Sequence, residues 1–435
     1  MSAPILGALG IFALLVLLMF RIPVWAALAL VGLVGNWILS GWQSAITFAG
    51  LTPFDVSSSY GLSVLPLFIL MGEVASGSRL SSDLFQASRV ILSGIRGGLP
   101  IAVIGASACF GAVCGSSIAT AATITRIALP EMKKAGYQDG FATGSIAAGG
   151  SLGILIPPSI ILVIYAAISE QSVPKLFAAS LFPGIILTLL YIGVAYLVAV
   201  YRPEYSPNAP GVSFRERLVA MRGPWQFVLL FTVSIGGIYA GIFSPTEAAS
   251  IGAFGAILLG WFGKRLTWKI LISSIENSVI TSCMLFAIII GANLFSYFMV
   301  QTQLPSLLAD LALELNMPGL LVLTIIVAIY IVLGCVLEGI GMILITVPVF
   351  LPLMMKFGYD PIWFGIIVVI VVEVGLMNPP VGMNLFVIQA QAPDVKIADI
   401  YWGVVPFLFA PVVLIILLVM VPELVLWFPA LLYGK

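Results

Sequence analysis

Apolar residues run along this chain in long unbroken stretches, without the 3.6- or 2-residue alternation of elements that face water on one side. A run of ~20 residues crosses the ~30 Å hydrocarbon layer of a bilayer. Ten crossings can be read on that basis: 4–20, 24–39, 60–77, 141–168, 176–200, 225–243, 247–262, 278–300, 361–390 and 402–426. Two further apolar stretches, 98–130 and 318–352, do not fit. The first lies between Arg96 and the Lys133, Lys134 pair, and is long for one helix yet short for two crossings. A re-entrant helical hairpin that enters and leaves on one face suits its length and flanks. The spacing predicts hairpins over about 98–134 and 305–356. Residues 41–59, with Gly50, Pro53, Asp55 and three consecutive serines, read as an interfacial arm.

Composition agrees with the lipid reading. The 435 residues are 61% hydrophobic and 8% charged, with a mean hydropathy of +1.18, whereas a soluble domain carries about 25% charged residues. The bilayer is the expected solvent and partner. Nothing charged precedes Arg21, so residues 4–20 read as a first membrane helix and not a secretory signal, which has a basic leading region.

Charge sets orientation. With both hairpins re-entrant and the N-terminus outside, Lys175, Lys356 and Lys435 stay outside and Arg126 lies within the first hairpin. The other fourteen of the 18 basic residues, Arg79 among them, fall inside. Converting either hairpin into a single crossing reverses everything downstream. The Pro- and Arg-rich segment 201–224 becomes a cytoplasmic linker.

Net charge zero offers no basic field, so nucleic-acid binding is excluded. Histidine is absent, which removes Ser-His-Asp and Cys-His catalysis and the HExxH zinc site. Cys109, Cys114, Cys283 and Cys335 have no CxxC spacing and read as buried reduced thiols.

The chain also repeats itself. Shifted by 222 positions, 129–158 aligns with 351–380 without a gap, and nine of thirty positions are identical, including Gly136/Gly358, Tyr137/Tyr359, Gly153/Gly375 and the pairs Pro157-Pro158 and Pro379-Pro380. Roughly two or three identities would arise by chance in so skewed a composition. The predicted fold is all-α: a polytopic membrane protein whose halves, 1–200 and 225–435, each hold five crossings and one re-entrant hairpin. Five is odd, so the second half is inverted, an arrangement used by secondary transporters.

Polar residues and helix breaks are costly in lipid, so they mark the working part. Each half has a polar hairpin tip, CGSSIAT (114–120) and LEGIGMI (337–343), and a helix broken by Pro-Pro, GGSLGILIPPS (149–159) and VEVGLMNPPVGMN (372–384). A proline in a helix leaves the carbonyl four residues back without its N–H. The carbonyls concerned are those of Gly153, Ile154, Gly375 and Leu376. Such oxygens beside hydroxyls and an amide suit a hard monovalent cation, Na+ above Zn2+ or Mg2+. Two Na+ sites are expected. One uses Gly115, Ser116 and Ser117 facing Ser151 and Gly153; the other uses Glu338, Gly339 and Gly341 facing Gly375, Met377 and Asn378. The bland reading of each glycine alone is tight helix packing.

Arg126, alone inside a hairpin, is a candidate to clasp a substrate carboxylate, or else it snorkels to the cytoplasmic face. Ser116, Asn384 and Thr346 are further candidate substrate contacts, with a structural hydrogen bond as the alternative. Glu73, Glu247 and Glu373 are open between pairing, capping and protonation.

The segments GSSIATAATITRIALPEMKKAGY (115–137), GGSLGILIPPS (149–159) and NPPVGMNLF (378–386), in this order and spacing, resemble the large membrane subunit of tripartite ATP-independent periplasmic (TRAP) transporters, over nearly the whole chain. The resemblance implies a multi-pass permease of the bacterial inner membrane that moves organic acids, such as sialic acid or dicarboxylates, in symport with Na+ by an elevator motion. It implies a small four-helix membrane subunit, expected here as a separate polypeptide, and a periplasmic substrate-binding protein. It places Ser116, Ser117, Gly153 and Asn378 in the cation-binding elements. Arg126 departs from the family pattern, where a small residue is common, so no particular acid is carried over. The alternatives are a stand-alone Na+/dicarboxylate carrier of related fold and a passive channel. An intramembrane enzyme is set aside because it needs an acid, base or nucleophile at a shared site, and without histidine the candidates shrink to buried carboxylates.

Overall fold

The computed structural model describes residues 2–78, 80–207, 211–334 and 337–434. Of the residues singled out above, Arg79, Cys335 and Lys435 lie outside that range. All regular structure among the described residues is helical, the arrangement that satisfies every backbone N–H and C=O within one segment when water is absent.

The N-terminal helices are α1 (Ala3–Met19), α2 (Val24–Ser40), α3 (Trp42–Ser58), α4 (Val64–Gly77) and the amphipathic α5 (Leu80–Ile91). The expected interfacial arm is thus a full helix, α3, separated from α2 by Gly41 at φ 83°. The first hairpin is α6 (Gly98–Cys114) and α7 (Ser117–Lys134). Arg89, on the helix that leads into α6, pairs with Glu131 near the end of α7 at 2.9 Å. That contact brings the hairpin's entry and exit to one side.

A broken helix follows: α8 (Asp139–Leu155) and α9 (Ile160–Ser169), bent by 41° at the double proline. Next come α10 (Val173–Tyr201) and, in the linker, α11 (Phe214–Ala220), closed by a reciprocal Ser213/Glu216 cap. Arg217 pins α11 to the Ser93 carbonyl at 2.9 Å.

The second half opens with α12 (Trp225–Phe231), continued through a π turn into α13 (Gly237–Tyr239), then α14 (Pro245–Phe262) and α15 (Trp268–Thr302). At 35 residues, α15 is roughly 50 Å long and exceeds the hydrocarbon thickness. Helix α16 (Leu304–Glu314) leads to the second hairpin, α17 (Gly319–Gly334) and α18 (Gly339–Lys356). Lys356 at the end of α18 pairs with Asp310 on α16 at 2.7 Å, so this hairpin also begins and ends together. Helices α19 (Pro361–Met377) and α20 (Met383–Gln391) form the second broken element, followed by α21 (Ile397–Met420) and α22 (Glu423–Tyr433). The single runs read at 361–390 and 402–426 are therefore each two helices.

Among the described residues, five helices are long and apolar enough to cross a bilayer, or seven when each bent pair counts as one. Helix α18 is among the five, although its contact with α16 makes it a hairpin limb. The 222-residue offset recurs in local geometry. Helices α7 and α18 match end for end, as do α8 and α19. The Tyr137 N–H donates to the Met132 carbonyl at 3.0 Å and the Tyr359 N–H to that of Met354 at 3.1 Å, after Gly136 and Gly358 at φ 83° and 81°.

The centre of the bundle is α8 and α19, buried from Gly140 to Leu155 and from Trp363 to Met377. At the side, α2 and α15 lie backbone to backbone: a Cβ on Gly32 would fall 2.5 Å from the Leu294 carbonyl carbon, and Asn36 donates to the Leu294 carbonyl at 3.1 Å. Among the described cysteines Cys114 is buried as expected, whereas Cys109 and Cys283 are free and exposed on this chain, because their positions on α6 and α15 face away from the core.

Candidate functional site

The first hairpin turns at Gly115, whose φ of 64° is the left-handed conformation that glycine adopts without a Cβ clash. Ser116 then caps α7, accepting from the Ala119 N–H at 3.4 Å, while its carbonyl accepts from the Thr120 hydroxyl at 2.7 Å. The tip rests on the broken helix of its own half. The Ile160 N–H reaches the Gly115 carbonyl at 3.4 Å. A Cβ on Gly153 would stand 2.7 Å from Thr120 Oγ1 and 2.9 Å from the Ser116 carbonyl oxygen. Gly115, Ser116 and Gly153 therefore meet as expected, and Thr120, inside the quoted tip motif but not singled out, joins them.

Both double prolines interrupt their helices. The bare carbonyls are fewer than the missing N–H groups imply. The Ser159 hydroxyl donates to Ile154 at 2.5 Å, and the Asn378 N–H donates to Gly375 at 3.3 Å. A carbonyl has two lone pairs, so Gly375 retains accepting capacity.

Ser151 points elsewhere. Its hydroxyl bonds the Ala148 carbonyl at 2.8 Å and the Tyr191 hydroxyl at 3.1 Å, toward α10. It lies half a turn from Gly153, so one helix presents the two to different neighbours.

The second hairpin repeats the packing of the first. A Cβ on Gly334 would fall 2.4 Å from the Gly375 Cα, as one on Gly111 would fall 2.5 Å from the Gly153 Cα. Gly339 faces Val372 and Leu376 of α19. Gly341 instead faces Val24 of α2, and Met377 is buried. Half-buried Glu338, with Gly339, lines a cavity of about 70 Å3 that it shares with Gly115, Ser116 and Ser117. The two tips thus meet each other as well as the broken helices.

Asn384, near the start of α20, closes the link: its side-chain amide donates to the Ser117 hydroxyl at 2.5 Å, and its own oxygen, fully buried, makes no hydrogen bond among the described residues. Thr346 is taken up structurally, bonded to the Met342 carbonyl at 2.6 Å and to the Tyr330 hydroxyl. Arg126 is exposed, with its Nε turned to the Ala122 carbonyl of its own helix at 3.4 Å; it does not touch the tip cavity.

The three glutamates separate. Glu73 accepts from Asn277 at 3.3 Å, and Glu247 caps α14 by accepting from the Ser244 N–H at 2.8 Å. Glu373 is fully buried, and neither of its carboxyl oxygens has a hydrogen-bond partner among the described residues. Tyr191 and Ser159 carry no signal in the sequence, since each is one hydroxyl in an apolar run.

Residues 11–424 match the family model described as tripartite ATP-independent periplasmic transporter, DctM component. The chain is 36% identical over 381 residues to the C4-dicarboxylate TRAP transporter large permease protein DctM of Pseudomonas aeruginosa, covering 86% of this chain and 88% of that protein. It is 29% identical to the sialic acid TRAP transporter large permease protein SiaM of Vibrio cholerae, over 98% of this chain and 99% of that one. In shape it is similar to the Alcanivorax borkumensis YdaH transporter, with a TM-score of 0.62 at 16% identity over 89% and 88% of the two chains. With a family model matched over residues 11–424 and a relative above 30% identity, the broken helices and polar tips have a family context: the chain belongs to the DctM-component family of tripartite ATP-independent periplasmic transporters.

Proposed function

We propose that this chain imports an organic acid, of the carboxylate class named for its relatives, with transport coupled to a Na+ gradient. It is a multi-pass protein of the bacterial inner membrane and the large permease of a TRAP system. In this reading a periplasmic binding protein delivers the acid and a small four-helix membrane subunit completes the complex.

Asn384 carries the reading. Its amide is held by Ser117 at the first tip while its buried oxygen has no hydrogen-bond partner among the described residues, and an unpaired buried acceptor costs free energy unless something meets it. Apart from the Glu338 carboxylate between them, the donor set around the tips is neutral oxygen: the Ser117 hydroxyl, the carbonyls of Ser116 and Gly153, and the Asn384 amide. That set fits a hard, singly charged cation better than a transition metal, which prefers nitrogen and sulfur. Gly115, Ser116, Ser117 and Gly153 would hold one ion in the first half. Gly339, Gly375, Met377 and Asn378 would hold its counterpart, with Glu338 between the tips; Ser151 and Gly341 stand behind these groups. Na+ supplies the gradient energy and neutralises the site.

This chain's residues supply positioning. The tips close the hairpins over the broken helices, and the glycine contacts hold them at backbone distance. Arg126, exposed beyond the tip, offers a guanidinium to an arriving carboxylate. An elevator motion would carry α6–α9 and α17–α20 as one body against the α2–α15 pair, the two halves inverted about it. Vesicles holding the permease, its small subunit and its binding protein test this directly: uptake should be concentrative and should stop when Na+ is replaced by choline. Uptake indifferent to that exchange would remove the coupling.

A further inference from the structure

The linker 201–224 carries four arginines against Glu204 and Glu216, and it is bound to both feet of the first hairpin. The Gly97 N–H donates to the Ser206 hydroxyl at 3.0 Å, and the Gln138 N–H to the Tyr205 carbonyl at 3.2 Å. Further along, the Val212 N–H donates to the Ser93 hydroxyl at 3.3 Å and Arg217 of α11 to the Ser93 carbonyl at 2.9 Å. Residues 221–224 separate α11 from α12, and the axis of α11 departs by 48° from that of the crossing over 225–239. Helix α11 therefore leans away at the boundary where that crossing begins.

The sides of α11 differ. Half-buried Arg217 and Ala220 form the side toward α5. Phe214, Leu218 and Met221, spaced i, i+4 and i+7 along one stripe, are 75, 50 and 60% exposed. Arg215 and Arg222, also seven apart, run along the edge away from α5, and both are exposed. Among the described residues no carboxylate pairs with either. Glu216, between the two, is occupied by the helix cap, where it accepts from the Ser213 N–H at 2.9 Å.

We propose that α11 lies in the inner boundary of the bilayer and binds anionic phospholipid headgroups, with Phe214, Leu218 and Met221 among the acyl chains and Arg215 and Arg222 on the phosphates. An apolar stripe flanked by arginines is the pattern of a helix that lies in the interface plane, and the arginine stems reach from it to headgroup level. Leaving such a stripe in water is costly, and the acyl region is at hand because the chain re-enters the membrane at exposed Trp225. A protein partner fits less well, since a stable interface needs roughly 800 Å2 on each side, more than three side chains offer. The unpaired guanidinium charge selects the headgroup: an anionic phosphate meets it, whereas a zwitterionic headgroup brings its own ammonium beside the phosphate. Because the linker holds Ser93, Gly97 and Gln138, the lipid contact bears on where both feet of the first hairpin sit.

Amide hydrogen exchange over residues 212–222 tests this. The permease is held in nanodiscs of phosphatidylcholine alone or mixed equally with phosphatidylglycerol, with and without its small subunit, at one ionic strength. An arginine near an anionic surface contributes a factor of about five, so exchange should slow about tenfold or more in the mixed lipid. Arg215→Gln with Arg222→Gln should erase the difference, and Arg215→Lys with Arg222→Lys, which keeps the charge, should retain it. Native mass spectrometry should find fewer phosphatidylglycerol molecules on the glutamine variant, a readout that fraying of α11 does not supply. Equal exchange of the native chain in the two lipids, or a lipid dependence that survives the glutamine pair, would overturn the proposal. Protection that follows the small subunit and ignores the lipid would give the stripe to that subunit and overturn it as well.

Discussion

The Asn384 amide donates to the Ser117 hydroxyl at 2.5 Å across 267 residues of chain. This bond ties the helix after the second double proline to the tip of the first hairpin, so each half of the protein completes a contact begun by the other. Truncating either partner leaves a buried polar group unmatched, at about 1–3 kcal/mol. Asn384→Ala and Ser117→Ala should each lower Na+-driven uptake about tenfold or more, and the double variant should cost less than the sum of the two. Additive losses would mean that the two side chains act separately.

Ser116→Ala combined with Asn378→Ala is expected to abolish Na+-driven uptake with the protein still in the membrane at normal levels. Transport and surface-accessible expression are measured on the same vesicles. Native uptake by this variant would count heavily against cation sites at the tips.

Gly153→Ala places a methyl 2.7 Å from Thr120 Oγ1 and 2.9 Å from the Ser116 carbonyl oxygen. Since the second of these is backbone, the tip must move. Destabilisation of about 1–3 kcal/mol is expected, read as a lower thermal midpoint, together with loss of uptake. A variant with native stability and transport would show that the tip and the broken helix are not held at this spacing.

Arg126→Ala should raise the substrate concentration at half-maximal uptake about tenfold while leaving the Na+ dependence unchanged, because its guanidinium lies away from the tip cavity. Loss of both together with poor expression would indicate a folding role.

On the surface, Lys133 at the end of α7 bonds Asp394, in the turn between α20 and α21, at 2.5 Å. That hydrogen bond holds the Asp394 carboxyl below the usual carboxylate range. A depressed folded value means the link is present above the ordinary carboxylate value of about 3.9 and is lost as pH falls through the lower one. Hydrogen exchange across residues 392–396 should therefore be flat from neutral pH down to about pH 4 after correction for intrinsic rates. Asp394→Asn should open this turn at every pH.

Much of this protein is legible in one dimension because lipid permits few backbone solutions. Long apolar runs become helices, Pro-Pro pairs must break them, and the match of 129–158 with 351–380 announces two equivalent hairpins and two equivalent breaks before any coordinate is known. Residue type alone also marks Gly115, Ser116 and Gly153, whose size and backbone freedom are needed wherever a tip meets a broken helix. Pairing between distant side chains is another matter. That Asn384 reaches Ser117, that Ser159 covers the Ile154 carbonyl, that Gly341 turns to Val24, and that Ser151 turns to Tyr191 depends on how helices rotate about their axes when their surfaces interlock. A hydroxyl in an apolar run looks the same facing a site, a neighbour or its own helix; only the packed bundle decides which, because burial makes an unmet polar group costly and so selects the partner.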